Sequence, residues 1–517
     1  MPIISLHGSY NDVEPSEGAF ADHTRGRTMT QLSRRNVLRA AGLLAGAAAL
    51  AACDTAPKGG AESQGSGRLK WWDHFQPLSD VEKELFATFA RTKGGVPVDY
   101  TVYNPNEQGK ALQLAKQSNQ LPDVFTLAGV SLPAPTLVNL GWFSPIELSD
   151  EAKKRLPDGT LLEGVTTFDG KIYSFPQFNF RQYATLTWFN TDLFGKAGLD
   201  PNSPPKTYDE FRSAARAIKQ KGGGGVFGWI APLKFTDRMS THVTELAQAA
   251  GYAGAAELNE QVDFRTGAYA FHTDPFVTAI EFLLSLKKDG LLFPSSSSLD
   301  ARTGRARWAT GTAGFFFDGP WNIGVVVDSF KPFADKVGVG PVLVPNGGAK
   351  PTLHQVQQPP TFWVSKDSQQ VEAASRLLSM ILEPDYQAKL AENMDQPPLD
   401  LTAVDRADVH DTYRKALQIY QDEVFLAPSP AVKNPGVAAV RAEMKPIHPN
   451  LGEIVQGAFS GDIPDVRGAL KQLSDKSEAE RERAIGVVGQ KGTKVSVDDW
   501  RFPAWQPGKD FGAKLYK

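Results

Sequence analysis

The chain has 517 residues, beyond the roughly 250–300 at which one hydrophobic core stops growing, so at least two lobes are expected. Hydrophobic residues at 41%, charged residues at 22% and a formal net charge of −3 exclude a disordered or fibrous chain. The same balance lacks the basic excess of a nucleic-acid binder, and a single cysteine excludes an intramolecular disulfide or a thiolate zinc cluster.

That cysteine closes the first informative segment. Ser33-Arg34-Arg35-Asn36-Val37-Leu38-Arg39 is followed by an uncharged run from Ala40 to Ala52 and then Cys53. Basic residues before a short apolar stretch describe an export signal, and the arginine pair reads as a twin-arginine one. The run has 13 residues, too short for a spanning helix, which needs about 20. Leu50-Ala51-Ala52-Cys53 resembles the bacterial lipobox, in which the cysteine is acylated and becomes the new N-terminus. Residues 1–53 are therefore expected to be a leader and twin-arginine lipoprotein signal, with Cys53 the lipidation site. Met29, five residues before Arg34, competes with Met1 as the start of translation. Residues 54–68 are rich in Gly and Ser and are expected to be a flexible tether with a reach of about 20 Å.

Folded sequence begins at Leu69. Leu69-Lys70-Trp71-Trp72 predicts a strand, in which alternation turns Trp71 and Trp72 to opposite sides, Trp71 toward the core. Ser79 to Glu82 has the capping-box pattern, opening a helix with Leu85, Phe86 and Phe89 on one face. Val96, Val98, Tyr100 and Val102 alternate as a second strand. A helix with Ala111, Leu112 and Ala115 then leads to a third strand at Pro122-Asp123-Val124-Phe125. This βαβαβ order predicts an α/β lobe with a largely parallel sheet. Further on, Asp274-Pro275 starts a helix that ends at Gly290.

Most motifs for chemistry fail. Gly223, Gly225 and Gly228 match the dinucleotide spacing but follow a helix end, whereas that fingerprint needs strand first and helix second. Gly164 to Gly170-Lys171 is one residue too long for a phosphate loop, and Ile172 stands where Ser or Thr is needed. No HExxH or GxSxG occurs, so neither a metal site, a cofactor nor a nucleophile is expected. Paired carboxylates for glycoside hydrolysis stay open, because that test is spatial.

Aromatic residues interleaved with polar ones stand out instead. They occur in Trp71-Trp72-Asp73-His74-Phe75, in Phe178-Asn179-Phe180-Arg181-Gln182-Tyr183, at Gly228-Trp229, and in Asp318-Gly319-Pro320-Trp321-Asn322. Sugars present apolar C–H faces and equatorial hydroxyls, so a site for them combines flat platforms with carboxylates, amides and guanidinium groups. Trp72 and Trp321 are the preferred platforms, whereas Trp229 divides evenly between site and core.

Gly170-Lys171-Ile172-Tyr173-Ser174-Phe175-Pro176 through Thr187-Trp188-Phe189-Asn190-Thr191-Asp192-Leu193-Phe194 to Gly198-Leu199 resembles the signature of the family 1 extracellular solute-binding proteins. These are the sugar-capturing subunits of ABC importers, maltodextrin binders among them. The likeness continues through Pro204-Pro205-Lys206-Thr207-Tyr208-Asp209-Glu210-Phe211 and through Trp308-Ala309-Thr310-Gly311 to Gly319-Pro320-Trp321. It implies an α/β chain with the two-lobe, type II periplasmic-binding-protein-like fold, a hinge and an interlobe cleft. Lobe 1 is expected from 69–176 and 360–400, lobe 2 from 177–359 and 401–490, and a C-terminal extension from 491–517 packed as a strap. The implied crossings fall near Phe175–Asn179 and Val356–Thr361.

The expected ligand-binding set is Trp72, Trp229 and Asp318 from the aromatic segments and, by the resemblance, Asp73, His74, Asn179, Arg181, Tyr183, Trp321, Gln355 and Gln358, with Gln357 beside the last two. The implied partners are a carbohydrate ligand, ABC permease subunits and a membrane reached through the lipid anchor, with the chain itself a monomer outside the cytoplasm. A phosphorylated polyol is the alternative ligand, for which only Arg181, Lys234 and Arg238 offer cations. A secreted carbohydrate-active hydrolase is the alternative of a different class.

Overall fold

A computed structural model describes residues 67–130, 132–255, 260–348 and 350–516. Met29, the signal, Cys53 and the tether through Ser66 lie outside the described residues. The chain lays down strands β1 (Leu69–Asp73), β2 (Val98–Val102), β3 (Val124–Phe125) and β4 (Phe143–Ser144), then a hairpin of β5 (Thr167–Phe168) and β6 (Lys171–Ile172). Next come β7 (Leu186–Asn190), β8 (Phe227–Ile230), β9 (Ala313–Asp318), β10 (Val337–Gly340) and β11 (Leu353–Gln355). It then returns through β12 (Trp363–Ser365) and ends its strands with β13 (Val424–Leu426).

Two main sheets result, each with its own core, beside the β5–β6 hairpin and a two-stranded parallel pairing of β11 with β13. The first has the order β2-β1-β3-β12-β4, with β1 parallel to both β2 and β3 and β12 antiparallel to β3 and β4. The βαβαβ reading therefore accounts for three neighbouring strands, while the fourth arrives from far along the chain. Trp71, Phe86, Phe89 and Val364 fill one side of this sheet; Leu112, Phe125, Phe143 and Trp363 fill the other. The second sheet has the order β10-β7-β9-β8, with β7 antiparallel to both neighbours and β8 parallel to β9. Its strands are buried on both faces, as continuous apolar runs such as Phe315-Phe316-Phe317 require.

Local chemistry explains some of the helix ends. Thr207 and Glu210 form a reciprocal capping box that starts helix Tyr208–Lys221, whose Phe211, Ala215 and Ile218 turn inward. Gly223 and Gly225 lie in the loop between that helix and β8, and Gly228 is inside β8, where a Cβ would sit 2.7 Å from Ala215. The capping box expected at Ser79 is not made. A 3-10 turn at Gln76–Leu78 leads into helix Ser79–Ala90, no side chain caps it, and Glu82 is fully buried, accepting from Tyr386 Oη at 3.0 Å.

Three segments carry the chain between the sheets, side by side. Thr361 N donates to Phe175 O at 3.0 Å, and Gln177 N to Thr361 Oγ1 at 2.9 Å. Asn179 N donates to Pro397 O at 3.0 Å. Gln177 Nε2 reaches Tyr386 Oη at 2.8 Å, which links the first crossing to Glu82.

The C-terminal segment is more deeply embedded than a surface strap. Trp500 is fully buried, and Phe502, Trp505 and Phe511 join the second lobe's core. Arg481, on helix Val466–Gln490, is stacked between Trp500 (5.0 Å) and Tyr269 (4.9 Å). Truncating Trp500 to alanine is expected to cost about 3–5 kcal/mol of stability, read by urea denaturation; a loss below about 1 kcal/mol would make the segment a peripheral decoration.

Candidate functional site

The edges of the two sheets nearest the crossings form the walls of the site. In the first sheet β1, β2 and β3 are parallel, so their C-terminal ends share one edge. Phe75, just past β1, packs on Phe178 and Phe362, so this edge lies over the crossings. In the second sheet the pairing of Leu186 with Asp318 places the start of β7 and the end of β9 on one edge, joined by the end of β8. Trp72 and Trp321 thus stand on different lobes, each at a crossing-side edge.

Along β1, alternation sends Trp72 and His74 to the face opposite Trp71. Trp72 is half-buried and packs on Tyr103, ring centres 5.0 Å apart. His74 Nδ1 lies 2.9 Å from Thr126 Oγ1, which also meets Gln108, and burial lowers the imidazole pKa, favouring the neutral ring. Asp73 follows Trp71 inward and is fully buried, which corrects its assignment as a ligand contact. Its carboxylate accepts from Trp71 Nε1 (2.9 Å), Phe75 N (2.9 Å) and Tyr100 Oη (3.1 Å), and burial raises its pKa.

Burial or internal pairing corrects five further assignments. Asn179 spends its side chain on the crossings, Nδ2 donating to Leu399 O at 2.8 Å and Oδ1 accepting from Arg181 N at 2.9 Å. Arg181 donates to Val424 O and pairs with Asp510 of the C-terminal segment at 2.6 Å, so its charge is neutralised from within. Tyr183 is buried, donating to Glu423 Oε2 at 2.8 Å and accepting from Val342 N at 3.0 Å. Trp229 is 1% exposed and belongs to the core. Asp318, also 1% exposed, is held by Arg305 through Nε (2.9 Å) and Nη2, and by Arg238 at 3.4 Å.

Asp318 nonetheless builds the site by holding Trp321. Its Oδ1 accepts from the Trp321 indole at 2.7 Å and from Gly319 N at 2.9 Å, folding the ring back over the turn. Only glycine fits beneath that ring, because a Cβ on Gly319 would come within 2.4 Å of it. The Arg238 guanidinium lies 4.8 Å from the ring centre of Trp321, which is half-exposed. Sequence reasoning missed Arg305, since nothing local marks it as the partner of Asp318.

Beside the second crossing is a cavity of ≈ 650 Å³ between the lobes. Gln355, Gln357 and Gln358 line it, with Val130, Leu132 to Pro135, Leu162, Gly164 and Val165 from the first lobe and the region after β13 from the second. Tyr516 completes the wall. Of the expected site residues, the structure brings Gln355 and Gln358 together here and leaves Trp72, His74 and Trp321 on the sheet edges. Among the described residues, no cluster of His, Cys, Asp and Glu could hold a metal ion, and no helix is long and apolar enough to cross a membrane.

Two substitutions test these assignments. Gly319→Ala should displace the indole and lower tryptophan fluorescence anisotropy by a change that vanishes in a Trp321→Phe background; an unchanged signal would mean that the ring does not lie over Gly319. Glu82 is held up to about 8 by burial and by the nearby Asp73 charge, against an ordinary value of 4.5. The native state then keeps a proton that the unfolded chain releases, so this group's contribution is intact below 4.5 and lost as pH rises toward 8. Glu82→Gln should therefore gain on the natural protein between pH 5 and pH 8 in denaturation experiments, and a pH-independent difference would contradict it.

Comparison with known proteins agrees with this architecture. The family described as bacterial extracellular solute-binding proteins matches residues 75–388. The sn-glycerol-3-phosphate-binding periplasmic protein UgpB of Brucella abortus is 22% identical over 386 residues, covering 69% of this chain and 80% of its own length. The melibiose/raffinose/stachyose-binding protein MelE of Bacillus subtilis is 23% identical over 366 residues, covering 66% and 75%. Among solved structures, the cyclic alpha-maltosyl-1,6-maltose binding protein of Arthrobacter globiformis superposes with a TM-score of 0.56 at 19% identity, over 82% of this chain and 99% of that one. An ABC transporter solute-binding protein of Thermotoga lettingae, bound with alpha-D-tagatose, gives 0.57 at 20% identity, over 80% and 100%. The two sheets, their crossings and the cavity between them are the two-lobe type II periplasmic-binding-protein fold, and the chain belongs to the bacterial extracellular solute-binding proteins.

Proposed function

We propose that the protein is an extracytoplasmic, membrane-anchored monomer that captures a mono- or oligosaccharide between its lobes and delivers it to an ABC importer without catalysis. The observation that carries this reading is the cavity spanning two separately cored lobes joined by three narrow crossings, since such a body can close on a small solute. Trp72, His74 and Trp321 on the facing edges and Gln355 and Gln358 at the second crossing remain the ligand-contact candidates. Solved relatives whose names record maltose, tagatose or stachyose support the ligand class. The lipobox at Cys53 supports the anchor.

A phosphorylated polyol is the second reading, and Arg238 favours it. Asp318 is already held at two points by Arg305, so Arg238, with 17% of its side chain exposed beside Trp321, adds positive charge at the cleft edge. The Brucella relative is named for glycerol 3-phosphate.

A ligand that binds only the folded chain raises its melting temperature by mass action. Screening sugars, oligosaccharides and sn-glycerol 3-phosphate should give shifts for carbohydrates, and a flat response to all of them would defeat the proposal. A glycerol 3-phosphate shift abolished by Arg238→Gln would select the second reading, whereas reducing sugar released on long incubation would select a hydrolase. Labelled palmitate should enter the chain in a bacterial host and be lost in Cys53→Ser; equal labelling would remove the anchor.

A further inference from the structure

The interlobe cavity has an uneven chemistry. Its amides gather at the second crossing, where Gln355, Gln357 and Gln358 are half-buried. Away from them the wall is mostly apolar, with Leu132, Pro133 and Val165 from the first lobe and Val432 with Tyr516 from the second; its polar members are Ser429 and Arg441, and Arg441 is paired with Glu260. Leu132 keeps 44% of its surface exposed, which is unusual for a large hydrophobic side chain in this protein. Tyr516 is set in place, its hydroxyl accepting from Ser429 N at 2.7 Å and its ring packing edge-on against Phe511 at 4.9 Å.

A bare sugar does not suit that far wall. Aliphatic and proline side chains cannot pair with hydroxyls, and a buried hydroxyl without a partner disfavours binding. The flat platforms that sugars stack on, Trp72 and Trp321, are not on this wall. A saturated or aromatic hydrocarbon portion fits it instead, and each methylene buried there tightens binding by about fourfold.

We infer that the occupant of this cavity is amphipathic: a glycoside or similar polyol conjugate, its hydroxylated head at Gln355, Gln357 and Gln358 and its alkyl or aryl portion on Leu132, Val165 and Tyr516. This rests on the reading of the cleft as a carbohydrate site and narrows it to a conjugated carbohydrate. It also gives the C-terminal segment a direct part in ligand choice through Tyr516.

The test is calorimetric binding of paired methyl and hexyl glycosides of glucose, galactose and maltose to the full chain. The hexyl member of at least one pair should bind at least about tenfold more tightly than its methyl counterpart. That ratio should fall toward one in Val165→Asn and in Tyr516→Ala, whose folding is checked by circular dichroism; the wild-type ratio stands as a test even if a variant fails to fold. Methyl glycosides binding as tightly as hexyl ones would overturn the amphipathic ligand while leaving carbohydrate binding intact. A ratio that survives in both folded variants would overturn it too, by placing the alkyl group elsewhere. Failure of every glycoside in both series would overturn this inference and the carbohydrate reading together.

Discussion

Backbone polar groups crossing between two cores have no sheet to pair with, and the rest of the molecule is arranged around that constraint. The three crossings solve it by pairing with one another. Phe175, Gln177 and Asn179 bond to Thr361, Pro397 and Leu399, and the Asn179 side chain is consumed in the process, while Gln177 Nε2 goes to Tyr386 Oη. That is why Asn179 is unavailable to a solute. The side chains left to face the cleft come from the sheet edges and from the second crossing, where Gln355 to Gln358 makes fewer internal bonds.

A buried carboxylate governs the second lobe's edge in a similar way. Asp318 leaves water at the end of β9, where an uncompensated charge would be strongly disfavoured, and Arg305 compensates it through two bonds. With that charge met, the remaining oxygen is free to fix the Trp321 indole and the Gly319 amide. The Trp321 ring is thus positioned by two buried residues, Asp318 and Arg305. Arg238, weakly held and lying over the indole, is the adjustable member of the group.

Much of this was legible in the sequence, and the failures have physical causes. Apolar periodicity placed β1, its following helix and β2, and helix-before-strand order excluded the dinucleotide reading of Gly223, Gly225 and Gly228, although the last of these lies in β8. Alternation separated Trp72 from Trp71, and the same period applied one residue further would have turned Asp73 inward with Trp71. Glu82 resembled a capping acid because spacing alone does not reveal that an acid is buried. Arg181 and Asp510 are 329 residues apart, and no local pattern announces such a pairing. The segments expected to be lipobox and tether lie outside the described residues up to Ser66 and rest on sequence alone.

The C-terminal segment bears on how the lobes move. Its polar contacts to the second lobe's side include Gly508 N to His354 Nε2 at 3.2 Å, Asp510 to Leu426 N at 2.8 Å and to Arg181, and Tyr516 to Ser429. A segment bonded across the cleft would resist closure, whereas one bonded to a single lobe rides with it. The strap therefore stiffens β11, β13 and the exit of the first crossing while leaving the crossings themselves as the bending points. Closure about those points would then carry Tyr516 toward Leu132 and Val165 across the cavity.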